Sequence, residues 1–235
     1  MSPTLIRRVQ LKRAFDLVFA CAGLLAVLPL LAVIAAVIWA GDRGPVIFAQ
    51  ERLGRYRRPF HMYKFRTMVL HAEITTGPTW SWAGDPRVTP AGRILRATHL
   101  DELPQLWNVL RGEMSFVGPR PERAVFVEQL ERVIPGYINR LAIRPGITGL
   151  SQLRSGYDDS LSSVRRKIRY DLLYVRKGCT LLDAKIVLDT FLRLGGLSRG
   201  LAGKAAVPVT TPRRPLATVR PINSLTVQNL DSGRM

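Results

Sequence analysis

Hydrophobic and polar positions are distributed very unevenly along this chain. From Leu17 to Ala40 there is no charged residue and almost no polar one. As a helix rising about 1.5 Å per residue, this run reaches across a hydrocarbon layer of roughly 30 Å. It is too long for the apolar region of a signal peptide, and Trp39, Asp42 and Arg43 mark an interfacial boundary at its end. Basic residues precede it (Arg7, Arg8, Lys12, Arg13) and follow it (Arg43, Arg52, Arg55, Arg57, Arg58, Lys64, Arg66). A crossing would put one of these clusters on the disfavoured side. Pro29, near the centre, removes a helical hydrogen bond and can bend the axis. The pattern therefore fits two readings: a kinked span, or a helix that turns back at Pro29 and leaves on the face it entered. Arg13 and Asp16 share a helical face and are expected to pair at the boundary.

Beyond this block the periodicity shortens. Val46–Gln50 and Phe60–Phe65 read as short strands separated by a basic turn at 55–59. Residues 77–90, with Trp80, Trp82 and Asp85, read as a long loop whose tryptophans suit a membrane interface. Helices are expected over about 89–97, 101–110, 122–133, 161–174 and 181–194, the last two carrying apolar residues at three-to-four spacing and basic faces suited to anionic lipid or to solvent. From Leu201 onward Pro, Thr, Arg and Val recur without periodicity, an extended tail.

Length and charge narrow the classes. A chain of 235 residues holds one sizeable domain and a membrane element. Its formal charge of +18 calls for anionic partners: a lipid surface, nucleic acid or a phosphorylated substrate. The apolar block argues against nucleic acid, and no helix-turn-helix or aromatic-interleaved strand set follows it. Cys21 and Cys179 suggest neither a disulfide framework nor a metal pair, which fits reduced thiols facing a cytosol.

Candidate chemistry gathers at three places. Pro104 is harmless only in the first turn of a helix, which makes Asp101 the expected N-cap and sets Asp101 and Glu102 beside free N–H groups where a phosphate is also welcome. A cap and a nucleophile look alike at this level. Arg120 stands between Pro119 and Pro121, stiffened for bidentate phosphate binding or simply part of a rigid turn. Arg144 opens a second rigid turn, RPGITG.

Taken in order, KRAFD before the membrane block, KFRTM at 64–68, LDELPQLWNVL at 100–110, SFVGPRP at 115–121 and RPGITGLSQ at 144–152 resemble the bacterial sugar transferase family, the small monotopic polyprenyl-phosphate phosphoglycosyl transferases. Each match is weak alone; five in order after an apolar block are specific. The resemblance covers roughly 12–197. It implies an α+β, mainly helical fold. An N-terminal basic segment and re-entrant membrane helix broken near Pro29 would occupy 1–44, a compact cytoplasmic catalytic domain with amphipathic interfacial helices 45–200, and the tail 201–235. Both termini would be cytoplasmic, at the bacterial inner membrane.

The resemblance also implies the chemistry. Asp101 would attack the sugar-proximal phosphate of a nucleoside diphosphate sugar, usually a UDP-sugar, releasing UMP and forming a covalent aspartyl phosphosugar. Polyprenyl (undecaprenyl) phosphate would then take the phosphosugar, initiating lipid-linked glycan synthesis. Glu102 would help bind Mg2+ or position or deprotonate the acceptor, Asp101 and Glu102 together supplying the metal's ligands. Arg96 and Arg120 would hold phosphates, with Lys64, Arg66 and Arg144 orienting either the helix junction or the nucleotide. Anionic lipids and downstream glycosyltransferases are the implied partners, and a homodimer is compatible. The chain departs from the family at Leu28, where a serine often precedes the break proline, and over Leu150–Tyr157, a region that bears on donor choice. A membrane-anchored nucleic-acid-binding protein or a scaffold is the alternative class; neither requires Asp101, Glu102 and Arg120 to coincide at phosphate-friendly backbone.

Overall fold

The computed structural model describes residues 3–74, 77, 79, 84–155 and 161–195, with side chains from residue 10 onward. Trp80, Trp82, Tyr157 and the tail expected over 201–235 lie outside the described residues. The longest element, helix α1, runs over Pro3–Asp42 and continues through Pro29. It is long and apolar enough to cross a membrane, and little of its most apolar stretch is buried inside the protein. A helix apolar all round has to find apolar surroundings elsewhere.

Both arms of α1 nevertheless dock on the same folded domain. Before Pro29, Ala20 packs with Phe60, Met62, Val109 and Met114. After it, Leu31, Ile34, Ala35 and Ile38 pack with Phe65, Leu95, Leu100 and Leu103. Between the two, Leu25 and Leu28 point outward, 73% and 57% exposed. The helix ends where Arg43 enters the left-handed region with its N–H on the Trp39 carbonyl and its guanidinium over the Trp39 ring.

Strands β1 (Ile47–Leu53) and β2 (Pro59–Phe65) form an antiparallel hairpin in the register Ile47 with Phe65 and Leu53 with Pro59. The expected strands thus exist, the first reaching three residues further. Helix α2 spans Pro90–Ala97, capped by the Thr89 hydroxyl, which accepts from the Gly92 N–H. A short 3-10 turn at Leu100–Glu102 leads to helix α3, Gln105–Arg111, whose chain leaves through left-handed Gly112.

Strand β3 (Ser115–Val117) pairs in parallel with β4 (Gly146–Thr148). SFVGPRP and RPGITG, read from sequence as separate rigid turns, therefore each contain one of two neighbouring strands. The parallel pairing needs a long crossover, supplied by helix α4 (Ala124–Val133) and a 3-10 segment at Tyr137–Ala142. Helices α5 (Leu150–Arg154), α6 (Leu161–Lys177) and α7 (Thr180–Leu194) complete the domain. The architecture is mainly helical with two small sheets, as expected.

The start of the membrane segment is wired into β3, and the expected Arg13–Asp16 pair does not form. Arg13 instead donates to the Val109 and Leu110 carbonyls at the end of α3, at 2.7 and 2.8 Å, where a cation suits the negative end of the helix. The Asp16 carboxylate accepts from the Ser115 hydroxyl at 2.9 Å and the Phe116 N–H at 3.0 Å. Lys12 reaches the Val117 carbonyl, the Tyr174 hydroxyl and the Asp183 carboxylate. These partners lie some hundred residues or more away along the chain, which is why local spacing favoured the nearer pair.

Candidate active site

Three elements converge on Asp101 and Glu102. The dyad sits in the 3-10 turn between α2 and α3, entered through His99 in the left-handed conformation. Asp101 is therefore not the N-cap of a helix beginning there. The turn closes by bonds from the Glu102 N–H to the His99 carbonyl and from the Leu103 N–H to the Leu100 carbonyl, and α3 starts only after Pro104. With no cap to make, the Asp101 side chain is left for other work. Its neighbours Leu100 and Leu103 pack, partly buried, against α1, Phe65 and Leu95, which fixes the turn from its apolar side.

Lys64, at the end of β2, donates to Glu102 Oε1 at 2.6 Å and stands 3.9 Å from Asp101 Oδ2. Arg120, in the Gly118–Pro121 turn after β3, donates to the same Oε1 at 2.6 Å and to Oε2 at 3.4 Å. Arg96, in the last turn of α2, is held by the Thr67 hydroxyl at 2.8 Å. Thr67 in turn is gripped by α2: its carbonyl accepts from the Thr89 N–H, and a Cβ on Gly92 would lie 2.1 Å from that carbonyl oxygen. Only glycine permits so close an approach.

The electrostatics separate the two carboxylates. Burial pushes Glu102 up, but the charges of Arg120 and Lys64, with their hydrogen bonds, reverse this and hold it far below the usual carboxylate range. Among the described residues Asp101 has no such bonds. Burial is the strongest influence on it, and neighbouring Glu102 adds to the rise; Lys64, Arg96 and Arg120 oppose but do not cancel it, so its carboxyl lies above the ordinary 3.8. Lys64 is lowered from 10.5 by burial, with Glu102 opposing. Arg120 is raised, first by the Glu102 charge. The arrangement is one permanently charged carboxylate clamped by two cations, beside a second that is buried, weakly engaged and more basic than usual.

Lys64, Arg96, Arg120, Asp101 and Glu102 are thus brought together. Arg66 and Arg144 are engaged elsewhere. Arg66 forms a two-pronged pair with Asp42 at the end of α1, so it serves the helix junction. Arg144 donates to the Gly112 carbonyl at 2.7 Å, behind α3. Sequence reasoning missed Thr67, which orients Arg96, although it lies in KFRTM; its signal was the glycine at Gly92, whose small size admits the contact.

Among the described residues no group of three or more His, Cys, Asp or Glu could hold a metal ion. The donors present still suit magnesium, which takes one or two carboxylates and completes its shell with phosphate oxygens and water. Among the described residues both Asp101 oxygens are free of hydrogen bonds, and Glu102 Oε2 is engaged there only at 3.4 Å.

The domain packs around a long apolar helix and holds a largely buried carboxylate dyad among cations, an arrangement suited to anionic phosphate groups. The chain belongs to the bacterial sugar transferase family, whose sequence profile matches residues 7–195. It is 41% identical over 180 residues to the UDP-N-acetylgalactosamine-undecaprenyl-phosphate N-acetylgalactosaminephosphotransferase of Aeromonas hydrophila, covering 77% of this chain and 42% of that protein. It is 41% identical over 198 residues to the UDP-glucose:undecaprenyl-phosphate glucose-1-phosphate transferase of Escherichia coli strain K12, covering 83% of this chain and 41% of that protein. It therefore spans well under half the length of these two relatives. The exopolysaccharide production protein PSS of Rhizobium leguminosarum bv. phaseoli is 40% identical over 196 residues, 81% of this chain and 96% of that protein.

Proposed function

We propose that this protein transfers a phosphosugar from a uridine diphosphate sugar to undecaprenyl phosphate through a covalent intermediate on Asp101. The observation that carries the reading is the contrast within the dyad: Asp101 is buried, free of hydrogen bonds and raised above an ordinary carboxyl, while Glu102 is pinned between Lys64 and Arg120. A carboxylate is a competent phosphoryl acceptor, and desolvation makes this one more nucleophilic. The names of the relatives supply the substrate classes.

In the first step an Asp101 carboxylate oxygen attacks the sugar-bearing phosphorus. The bond from that phosphorus to the bridging oxygen breaks, and UMP leaves with the electron pair. In the second step an oxygen of undecaprenyl phosphate attacks the same phosphorus and displaces the carboxylate, giving the lipid diphosphate sugar and free Asp101. Arg120 and Arg96 hold the diphosphate by charge and fork geometry. Glu102, ionised throughout, is a poor proton acceptor; its role is to hold Lys64 and Arg120 in place. Mg2+, held by Asp101 and Glu102 with the diphosphate, would supply charge neutralisation at the leaving phosphate.

The site is best placed at the cytoplasmic face of the inner membrane, served by a helix that enters and returns. From Lys12 to Asp42 a straight helix would separate its ends by roughly 45 Å. Yet Lys12 bonds to Asp183 and Asp42 to Arg66, both in the same domain. Such tethering favours both ends on one side, with the exposed middle around Leu25–Pro29 dipped into the bilayer. Cysteine-accessibility labelling at Ser2 and in the tail should report both on the cytoplasmic side; opposite sides refute this topology.

The test of the reaction is incubation of purified protein with labelled UDP-glucose, UDP-N-acetylglucosamine or UDP-N-acetylgalactosamine without acceptor lipid. UMP release and a labelled protein adduct are expected with the matching donor. Asp101→Asn should abolish both, and an undiminished adduct in that variant overturns the nucleophile assignment.

A further inference from the structure

Arg120 lies in a segment with unusual backbone constraints. Pro119 and Pro121 offer no N–H, so the turn is held through its carbonyls. The Pro119 carbonyl accepts from the Gly146 N–H at 2.9 Å, and the Glu122 carbonyl accepts from the Leu53 N–H at 2.9 Å. The Pro121 carbonyl takes a longer bond from Arg52, at 3.4 Å. The Arg120 carbonyl itself accepts at 2.8 Å from a side chain, Arg140 Nη2.

Arg140 is an odd residue to find there. It is 1% exposed, in the 3-10 segment before β4. Its Nε donates to Asp171 Oδ2 at 2.9 Å, Nη2 lies 2.9 Å from the same oxygen, and Nη1 donates to the Tyr137 hydroxyl at 3.0 Å. Asp171, on α6, is 2% exposed. A buried arginine–aspartate pair seldom contributes more stability than apolar residues of the same volume would. Stability alone therefore explains this cluster poorly. Its geometry does something apolar residues cannot: it holds a fork at fixed orientation and aims one N–H at the backbone of the residue that clamps Glu102.

We propose that Arg140, oriented by Asp171 and Tyr137, is a positioning residue that fixes Arg120 for phosphate binding through Arg120's own carbonyl. The inference rests on the reading of Arg120 as the donor-phosphate clamp. A guanidinium binds phosphate through a planar fork whose direction depends on where its backbone is held. A lysine ammonium, a compact point charge on a flexible stem, depends on this far less.

The test uses the full chain in detergent micelles and inorganic pyrophosphate as the probe, with affinity read by calorimetry and folding by thermal midpoint. Asp171→Asn and Tyr137→Phe are measured in the native chain and in the Arg120→Lys chain. Asp171→Asn should weaken pyrophosphate binding about fivefold in the native chain and less than about twofold in the lysine background, since a residue acting through Arg120 has little left to orient there. Tyr137→Phe, which deletes one bond and keeps the packing, should show the same pattern at about twofold, and it carries the test should Asp171→Asn not fold. Equal losses in both backgrounds, or undiminished binding by both folded variants in the native chain, overturn the proposal. The pyrophosphate pattern together with no turnover of any UDP-sugar by the native protein would leave the positioning role supported and sink the reaction instead.

Discussion

Replacing Glu102 by glutamine removes one charge and leaves two cations without their partner. Glu102 meets Lys64 and Arg120 at 2.6 Å each, and its side chain is 12% exposed, against 17% for Lys64 and 36% for Arg120. At an effective dielectric of about 20, a contact at this distance is worth roughly 6 kcal/mol of gross attraction. Much of that is offset by desolvation, and breaking a buried pair from one side costs about 3–5 kcal/mol. Because Arg120 is partly solvated, the lower figure applies, and about 3 kcal/mol should lower the thermal midpoint by roughly 6–12 °C in a domain of this size. The catalytic consequence is separate. Lys64, already 3.9 Å from Asp101, becomes free to bond the nucleophile, and Arg120 loses its anchor. Adduct formation at saturating donor should fall at least about 100-fold, comparable to losing a preorganised electrostatic group. Scanning fluorimetry of the protein in micelles, with single-turnover adduct formation at a temperature where both proteins are folded, reads both effects. A variant melting within about 2 °C of the native protein and labelling at a similar rate would refute the account, because it would mean that water already screens this pair.

Other perturbations follow from the same geometry. Asp101 must be ionised to attack, so adduct formation should rise with pH through a value above the ordinary 3.8, with no second acid limb from Glu102; a limb at or below 3.8 contradicts the burial argument. The unfolded chain releases this proton near 3.8 and the folded chain later, so between those values stability should fall as pH rises, and Asp101→Asn should flatten that slope in pH-dependent melting curves. Gly92→Ala would set a Cβ 2.1 Å from the Thr67 carbonyl oxygen, displacing the residue that holds Arg96, and should both raise the donor KM and lower the thermal midpoint. Arg66→Met should loosen the end of α1 and the β2 segment carrying Lys64, seen as faster hydrogen exchange over residues 42–46 and 64–67.

What the sequence disclosed depended on the range of the interactions. The apolar block, the hairpin and the helices after it are written in local periodicity and were legible. That Lys64, Arg96, Asp101, Glu102 and Arg120 gather in one place was legible only because ordered motifs were read together; nothing local distinguishes Asp101 from a helix cap. That local reading failed because Pro104 permits a helix start at more than one residue, and left-handed His99 with the packing of Leu100 and Leu103 against α1 chose a 3-10 turn instead. Arg66 and Arg144 carry the same motif signal as Lys64 and Arg120, yet their partners, Asp42 and the Gly112 carbonyl, are set by tertiary packing. Arg140 gave no signal at all, since two of its three partners, Asp171 and the Arg120 carbonyl, lie on other elements.

Helix α1 bears on how such a protein can be handled and altered. Phe65, Leu95, Leu100 and Leu103 are covered by Leu31, Ile34, Ala35 and Ile38, so one wall of the domain's interior is made of the long apolar helix. A soluble fragment beginning after Asp42 would bare that wall directly beneath the dyad and should aggregate. A generic anchor grafted in place of α1 would fare little better, because it would bring neither the covering side chains nor Lys12, Asp16 and Asp42. The hydrophobic segment is a structural part of the domain, and any stable minimal version has to include it.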